Sequence, residues 1–305
     1  GYRFKAEALR GAQQTAALRP GYQVGATLEN GAGTGEYKSL DAAELTLSLS
    51  SVIELGGQRD ARMGVVTARQ EQLQSQQRVA TMDVVVALTQ QFIRVVETQE
   101  QLKLQREVQA LTEEILTSLN RQVKEGKSSE AESLRAKAAL SRSTIALASI
   151  QQNLLSERLL LARFWGQSLA DFGELQADLY HFGAVTSLSD LQHKLANNPD
   201  LDLLAQDIRV REASLKLARS QSNPNLEWSA GVRNFQNTND SALVVGLSVP
   251  LGTKSRASGA ITTATAELGE AHWQESATRV QLESHLSRLA GARTQALAAI
   301  SSLRD

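Results

Sequence analysis

The 305-residue sequence has no cysteine, four prolines, two methionines and an aromatic content of only 4%. The absence of cysteine excludes disulfides, thiolate metal sites and cysteine nucleophiles. So few aromatic side chains cannot anchor one large globular core, and the abundance of Ala, Ser, Gln and Leu fits elongated helices better. No uninterrupted run of about 18 apolar residues occurs, so the sequence predicts no transmembrane helix.

The charges are also balanced: the sequence has 32 Lys and Arg and 33 Asp and Glu, for a net charge of −1. The positive charges form no basic stripe, so we expect no nucleic-acid partner. The histidines are spaced too widely to form a ligand pair or a nucleophile–base motif. We therefore expect no catalytic residue, no cofactor and no metal site, and hence no enzyme. The four histidines are His181, His193, His272 and His285.

One long stretch, Arg59 to Val123, has no proline, a single glycine (Gly64), and apolar residues every three or four positions. This pattern predicts one helix, a rod of roughly 95 Å at 1.5 Å per residue. Such a rod must pack lengthwise against other long helices. Gly126 is expected to end it in a left-handed cap, and a returning helix starts near Ser129.

Four short segments alternate apolar and polar residues with period two, as half-buried strands do. They form two predicted β-hairpins, each with one apolar and one polar face. In the second segment, Ser51 is expected to shift the register by one residue. The segments are Tyr22 to Glu29, Glu44 to Ile53, Leu226 to Arg233 and Ser241 to Val249.

The order helix, strand, strand, long helix occurs twice, because Pro20 matches Pro224 and Leu55-Gly56 matches Leu251-Gly252 about 200 residues further on. This predicts a first structural repeat over residues 1–165, a connecting segment over 166–200 that packs on the side of the helices, and a second repeat over 201–305. The last helix stops about 51 residues after Ser255, so we expect a longer protomer with a further returning helix.

Two isolated hairpins with apolar faces and open edges are unstable in water. Strands of this length and alternation are typical of a transmembrane β-barrel, which must close so that no backbone group is unpaired. Four strands cannot close, but several copies of the chain together can. The predicted lipid-facing residues are Val24, Leu28, Leu45, Leu47, Leu49, Leu226, Trp228, Val232, Leu243, Val245, Leu247 and Val249.

The paired repeats, together with three short strings, resemble the TolC family of outer-membrane efflux channels. The strings are Val-Ile-Glu-Leu-Gly-Gly-Gln-Arg at 52–59, Val-Pro-Leu-Gly at 249–252 and Asn-Pro-Asp-Leu at 198–201. The Glu-Leu-Gly-Gly-Gln-Arg part is most similar to the CzcC-like branch, which serves heavy-metal efflux pumps.

This resemblance implies a mainly α protomer with two repeats. Its long antiparallel helices form an α-barrel, and its four strands enter a β-barrel shared by a homotrimer. It also implies a passive duct through the outer membrane of a Gram-negative bacterium, with its helices in the periplasm. A periplasmic adaptor and an inner-membrane pump of the RND type would be its partners. The helical turn that meets the adaptor would include Val123, Gly126, Ser129, Glu132 and Leu134.

A second interpretation is a soluble periplasmic coiled-coil adaptor or scaffold. The two interpretations differ in the hairpins, because a channel exposes their apolar faces to lipid, whereas a scaffold buries them against protein.

Overall fold

The computed structural model describes residues 1–179, 183 and 186–304. It is mainly helical, as predicted, and its four strands form one antiparallel sheet. Two short 3₁₀ turns, Gly35–Tyr37 and Arg163–Trp165, complete the regular structure of the described residues. In chain order the elements are α1 (Tyr2–Ala17), β1 (Gln23–Glu29), β2 (Glu44–Ile53), α2 (Gln58–Lys124), α3 (Glu130–Ala162), α4 (Leu188–Leu195), α5 (Pro199–Ser220), β3 (Leu226–Phe235), β4 (Asp240–Ser248) and α6 (Thr253–Arg304).

The chain divides into two compact units, Gly1–Val79 with Thr186–Asp305, and Ala80–Val185. This division follows the packing and not the internal repeat, so the predicted repeat boundaries stay a prediction. The repeated order of elements itself is present: α1, β1, β2 and α2 are matched by α5, β3, β4 and α6.

Helix α2 has 67 residues and extends one residue beyond the predicted bounds at each end. Gly126 follows it with φ +67°, the left-handed conformation that glycine adopts without a Cβ penalty. The amide of Gly126 donates to the Val123 carbonyl (3.0 Å) and the amide of Lys127 donates to that of Gln122 (2.8 Å). These two bonds form a Schellman motif, which satisfies carbonyls that the helix end leaves free.

Side-chain caps start the helices that follow. Ser129 accepts from the amide of Glu132 (3.4 Å) at the start of α3, and Asn198 accepts from the amide of Asp200 (2.7 Å) at the start of α5. Pro199 occupies the first turn of α5, where its missing N–H costs nothing. Helix α6 continues without a reversal through Gly291, as its apolar pattern predicts.

The two hairpins join into a single sheet in the order β1-β2-β3-β4, with every pairing antiparallel. The central pairing connects the two repeats, from Glu44 opposite Phe235 to Ile53 opposite Leu226. The expected register shift at Ser51 is wrong, because β2 pairs without interruption through that residue. Ser51 lies on the apolar face, where its hydroxyl donates to the Gly21 carbonyl at 3.2 Å and so needs no bulge.

In the first unit, α5 packs on α6 through small side chains. The buried cluster contains Leu215, Ala218 and Ala264, with Ile261 and Leu268 beside it. Alanine at the contact lets the two helices approach closely, and aliphatic side chains fill the rest of the cluster.

In the second unit, the segment after α3 is bound to the long helices. The buried side chain of Gln99 donates to the Leu175 carbonyl (3.0 Å) and accepts from the Leu175 amide (3.2 Å). Arg158 on α3 donates to the carbonyls of Phe172 and Gly173 and lies 4.6 Å from the Phe172 ring centre. Residues 172–175 therefore pack on the side of α2 and α3, where the sequence placed this connection.

Candidate channel-forming sheet and helical turn

The sheet has one apolar face, and that face is the exposed one. Directly paired residues point to the same side of a sheet, and Val24 opposes Leu49, Leu47 opposes Val232, and Leu247 opposes Trp228. The register thus places eleven of the twelve predicted lipid-facing residues on one face. The large side chains exposed there are Val24, Leu28, Leu45, Leu47, Leu49, Val232, Leu243, Val245 and Leu247.

Four further positions complete the description of this face. Leu226 and Trp228 lie at the start of β3, near the helices, and are partly buried, and the Trp228 ring contacts the Tyr22 ring edge to face with 6.4 Å between the ring centres. Val249 lies one residue beyond the end of β4, outside the strand that was predicted to include it, because Pro250 has no N–H for a sheet bond. Ile53, also exposed on this face, was absent from the predicted set although its alternation with Ser51 could have included it.

The opposite face is polar and less exposed. Thr46 is only 7% exposed, whereas Leu243 on the apolar face is 80% exposed. A sheet of a water-soluble protein has the reverse arrangement, with its apolar side covered. Two open edges, β1 and β4, accompany this inverted sheet. Such a sheet requires an apolar surrounding and more strands.

The Glu-Leu-Gly-Gly-Gln-Arg string forms the junction between the sheet and the helices. The buried side chain of Gln58 donates to the carbonyls of Ser220 (3.4 Å) and Asn223 (3.3 Å). Arg59 donates to the Ala17 carbonyl at 2.7 Å. These bonds satisfy carbonyls at and just after the ends of α5 and α1, so the string connects the two repeats at the helix-side end of the sheet.

Glu54 and Arg62 form a two-contact ion pair at the same junction, one of whose hydrogen bonds measures 2.9 Å. The hydrogen bond from Arg62, and then its positive charge, lower the pKa of the Glu54 carboxyl against the opposing effect of burial. The same hydrogen bonds, which Arg62 donates to Glu54, raise the pKa of Arg62. Arg62 also donates to the Leu18 carbonyl at 3.2 Å.

This pair predicts an acid-sensitive junction. Because the folded-state pKa of Glu54 is lowered, its stabilisation is fully present above the ordinary value of 4.5 and is lost as the pH falls through the folded-state pKa. We expect Glu54→Gln to lower the midpoint of heat unfolding at neutral pH, and the difference from the wild type to shrink below pH 4.5. Circular dichroism of the detergent-solubilised protein measures both; a difference that stays constant down to pH 3 would contradict the role of this carboxylate.

The predicted adaptor-docking residues surround the turn between α2 and α3. Ser129, Glu132 and Leu134 are exposed, and Val123 is half-buried on the last turn of α2. Glu132 also pairs with the hydroxyl of Ser128. The turn around Gly126 is therefore a small, fixed and accessible surface, and its docking role stays a prediction.

The described residues contain no group of three His, Asp or Glu side chains that could hold a metal ion. His193, His272 and His285 lie apart on α4 and α6, whereas His181 lies outside the described residues. The sequence predicts no transmembrane helix, but α2 contains an 18-residue window of mean hydropathy 1.4 that is long and apolar enough to cross a membrane. The core helix of a larger assembly meets the same criterion, so this window alone does not define a span.

Solved structures of outer-membrane proteins share this fold, including the sheet and the paired repeats. The outer membrane protein VceC of Vibrio cholerae matches 99% of this chain and 76% of its own, with a TM-score of 0.76 and 17% identity. The outer-membrane channel OprN matches 99% and 72%, with a TM-score of 0.75 and 17% identity. The CmeC outer membrane channel of Campylobacter jejuni matches 98% and 68%, with a TM-score of 0.70 and 16% identity. The predicted TolC-like fold is confirmed.

In sequence, the chain is 26% identical over 241 residues to the cobalt-zinc-cadmium resistance protein CzcC of Cupriavidus metallidurans, which agrees with the predicted likeness to the CzcC-like branch. The match covers 79% of this chain, which spans 58% of the length of that relative. No family model matches the chain. These relatives are channels and a resistance protein, in agreement with the expectation that the chain is not an enzyme.

Proposed function

We propose that this chain is the outer-membrane channel subunit of a tripartite efflux pump. Three copies close one β-barrel from their four-stranded sheets, and their helices line a passive exit duct across the periplasm. The exported compounds are heavy-metal cations, as the name of the relative CzcC suggests. A periplasmic adaptor and an inner-membrane pump of the RND type supply the connection and the energy.

The exposed apolar face of the sheet carries this proposal. Ten large apolar side chains are exposed on one face while threonine, serine and glycine line the other side, which is the pattern of strands between lipid and an aqueous lumen. The soluble adaptor or scaffold is the less favoured function, because within the described residues no element of the chain covers this face.

Fractionation of the producing cells tests the proposal. A barrel stays in the outer-membrane fraction through washes with high salt and alkaline carbonate and leaves only with detergent, whereas a scaffold is released by salt. Cross-linking in intact cells should then yield a trimer band. Release of the protein by salt would contradict the channel and favour the scaffold.

The turn at Gly126 provides a prediction on the partner. Nothing lies within 4 Å of a Cβ at Gly126, so Gly126→Val meets no clash but strains the left-handed backbone by roughly 1–2 kcal/mol and reshapes the turn. We expect cross-linking to the adaptor and efflux to fall while the amount of trimer stays unchanged.

Gly126→Asn is the matched control, because asparagine tolerates the left-handed conformation and should keep docking close to that of the wild type. Unchanged adaptor cross-linking in Gly126→Val would contradict the assignment of this turn as the docking surface.

A further inference from the structure

The polar face of the sheet carries an unequal set of charges. The four strands contain four carboxylates, Glu29, Glu44, Glu227 and Asp240, and all of them fall on the polar face. Arg233 is the only lysine or arginine in these strands, and it lies on the same face. The strand residues of this face therefore have a net charge of −3, and the two rows between the charged ends consist of Ser, Gly, Val and Gln.

Arg233 is held in one position by acceptors on two neighbouring strands. Its Nε donates to the hydroxyl of Thr46 (3.0 Å), and its two terminal nitrogens bind Glu44 (2.8 Å) and Glu29 (2.7 Å). Glu29 and Glu44 oppose each other directly across β1 and β2, a like-charge pair that destabilises a sheet unless a cation bridges it. The guanidinium of Arg233 provides that bridge at the loop end of the strands.

From this arrangement we infer that Arg233 sets the ion selectivity of the duct at the loop end of the barrel, by cancelling one of the negative charges that each copy presents to the lumen. The inference rests on the proposed channel function. Three copies present −9 in total, so the lumen favours cations, and Arg233 limits that preference. Charges on the wall of a narrow lumen act strongly on passing ions, because the surrounding protein and lipid have a low dielectric constant.

The experiment measures reversal potentials of the purified protein in planar bilayers of zwitterionic lipid under a KCl gradient. The dilute side is kept near 10 mM, where the Debye length is about 30 Å. The wild type should be cation-selective. Arg233→Gln changes the charge per chain to −4 and should raise the K⁺:Cl⁻ permeability ratio by about twofold, whereas Glu44→Gln changes it to −2 and should lower it.

Two variants serve as controls. The double variant Arg233→Gln with Glu44→Gln restores −3 and leaves Glu29 without an opposing carboxylate, so it should fold normally and return to the wild-type ratio. Ser241→Glu adds a charge on the apolar face, away from the proposed lumen, and should leave the ratio unchanged.

Channels that form but favour anions, or that keep one ratio in all variants, would overturn the role of Arg233 while leaving the channel in place. A shift in Ser241→Glu equal to those of the polar-face variants would also overturn it. A complete lack of conductance in the wild type would instead overturn the proposed channel function, and this inference with it.

Discussion

Arginine at Val245 is expected to abolish assembly of the channel, whereas arginine at the adjacent Val244 is expected to be tolerated. Val245 is in the middle of β4 on the apolar face and is 71% exposed. Val244 opposes Gly231 on the polar face. A lipid-facing arginine near the middle of the bilayer costs roughly 2–4 kcal/mol, and the cost recurs in each copy of an assembly.

The pair is closely matched, since both wild-type residues are valine on one strand and only the direction of the side chain differs. Arginine at Ser248, also on the polar face, is a second tolerated position. The measurement is the amount of heat-dissociable trimer in the outer-membrane fraction. Equal losses for Val244→Arg and Val245→Arg would contradict the assignment of the two faces.

Gly56→Ala is expected to be the most damaging single change at the junction. Gly56 has φ +73°, and a Cβ there would lie 2.2 Å from the side-chain nitrogen of Asn223. Backbone strain alone costs about 1–2 kcal/mol. The overlap adds a further cost, because Asn223 cannot move away freely while its backbone carbonyl accepts a hydrogen bond from Gln58. We expect roughly 3 kcal/mol or more in total, measured as a lower midpoint of heat unfolding.

The neighbouring Gly57 is the control for the strain. It has φ +70° but open space around the position of a Cβ, so Gly57→Ala should cost only the backbone strain. If both variants unfolded at the same temperature, the close packing against Asn223 would not explain why position 56 requires glycine.

Much of this fold follows from local patterns. Period-two alternation predicts both the strands and their faces, and the glycine at 126 predicts the end of α2 because an L-residue is strained there. The pairing of β2 with β3 could not be predicted, since it joins Glu44 to Phe235 across nearly the whole chain and no local pattern encodes it. The same reason explains the missed roles of Arg233 and Gln99, whose partners are distant in sequence.

Ser51 is an instructive failure. A polar residue in the apolar series was interpreted as a change of register, but the Gly21 carbonyl, in the loop between α1 and β1, accepts a hydrogen bond from its hydroxyl. The alternation of apolar and polar residues cannot reveal a hydrogen bond to a backbone atom outside the strand. The predicted docking residues near Gly126, by contrast, depend on the family resemblance and not on any pattern within the strands.

The two open edges of the sheet affect the newly made chain before it assembles. Before it meets its copies, each subunit presents unpaired backbone groups along β1 and β4 beside an apolar surface, which is the arrangement that promotes aggregation. On the proposed route through the aqueous periplasm, this species should persist only while it is bound to a holdase chaperone. We therefore expect depletion of such chaperones to reduce the yield of this protein more strongly than that of periplasmic enzymes, because its native faces become favourable only on arrival in the membrane.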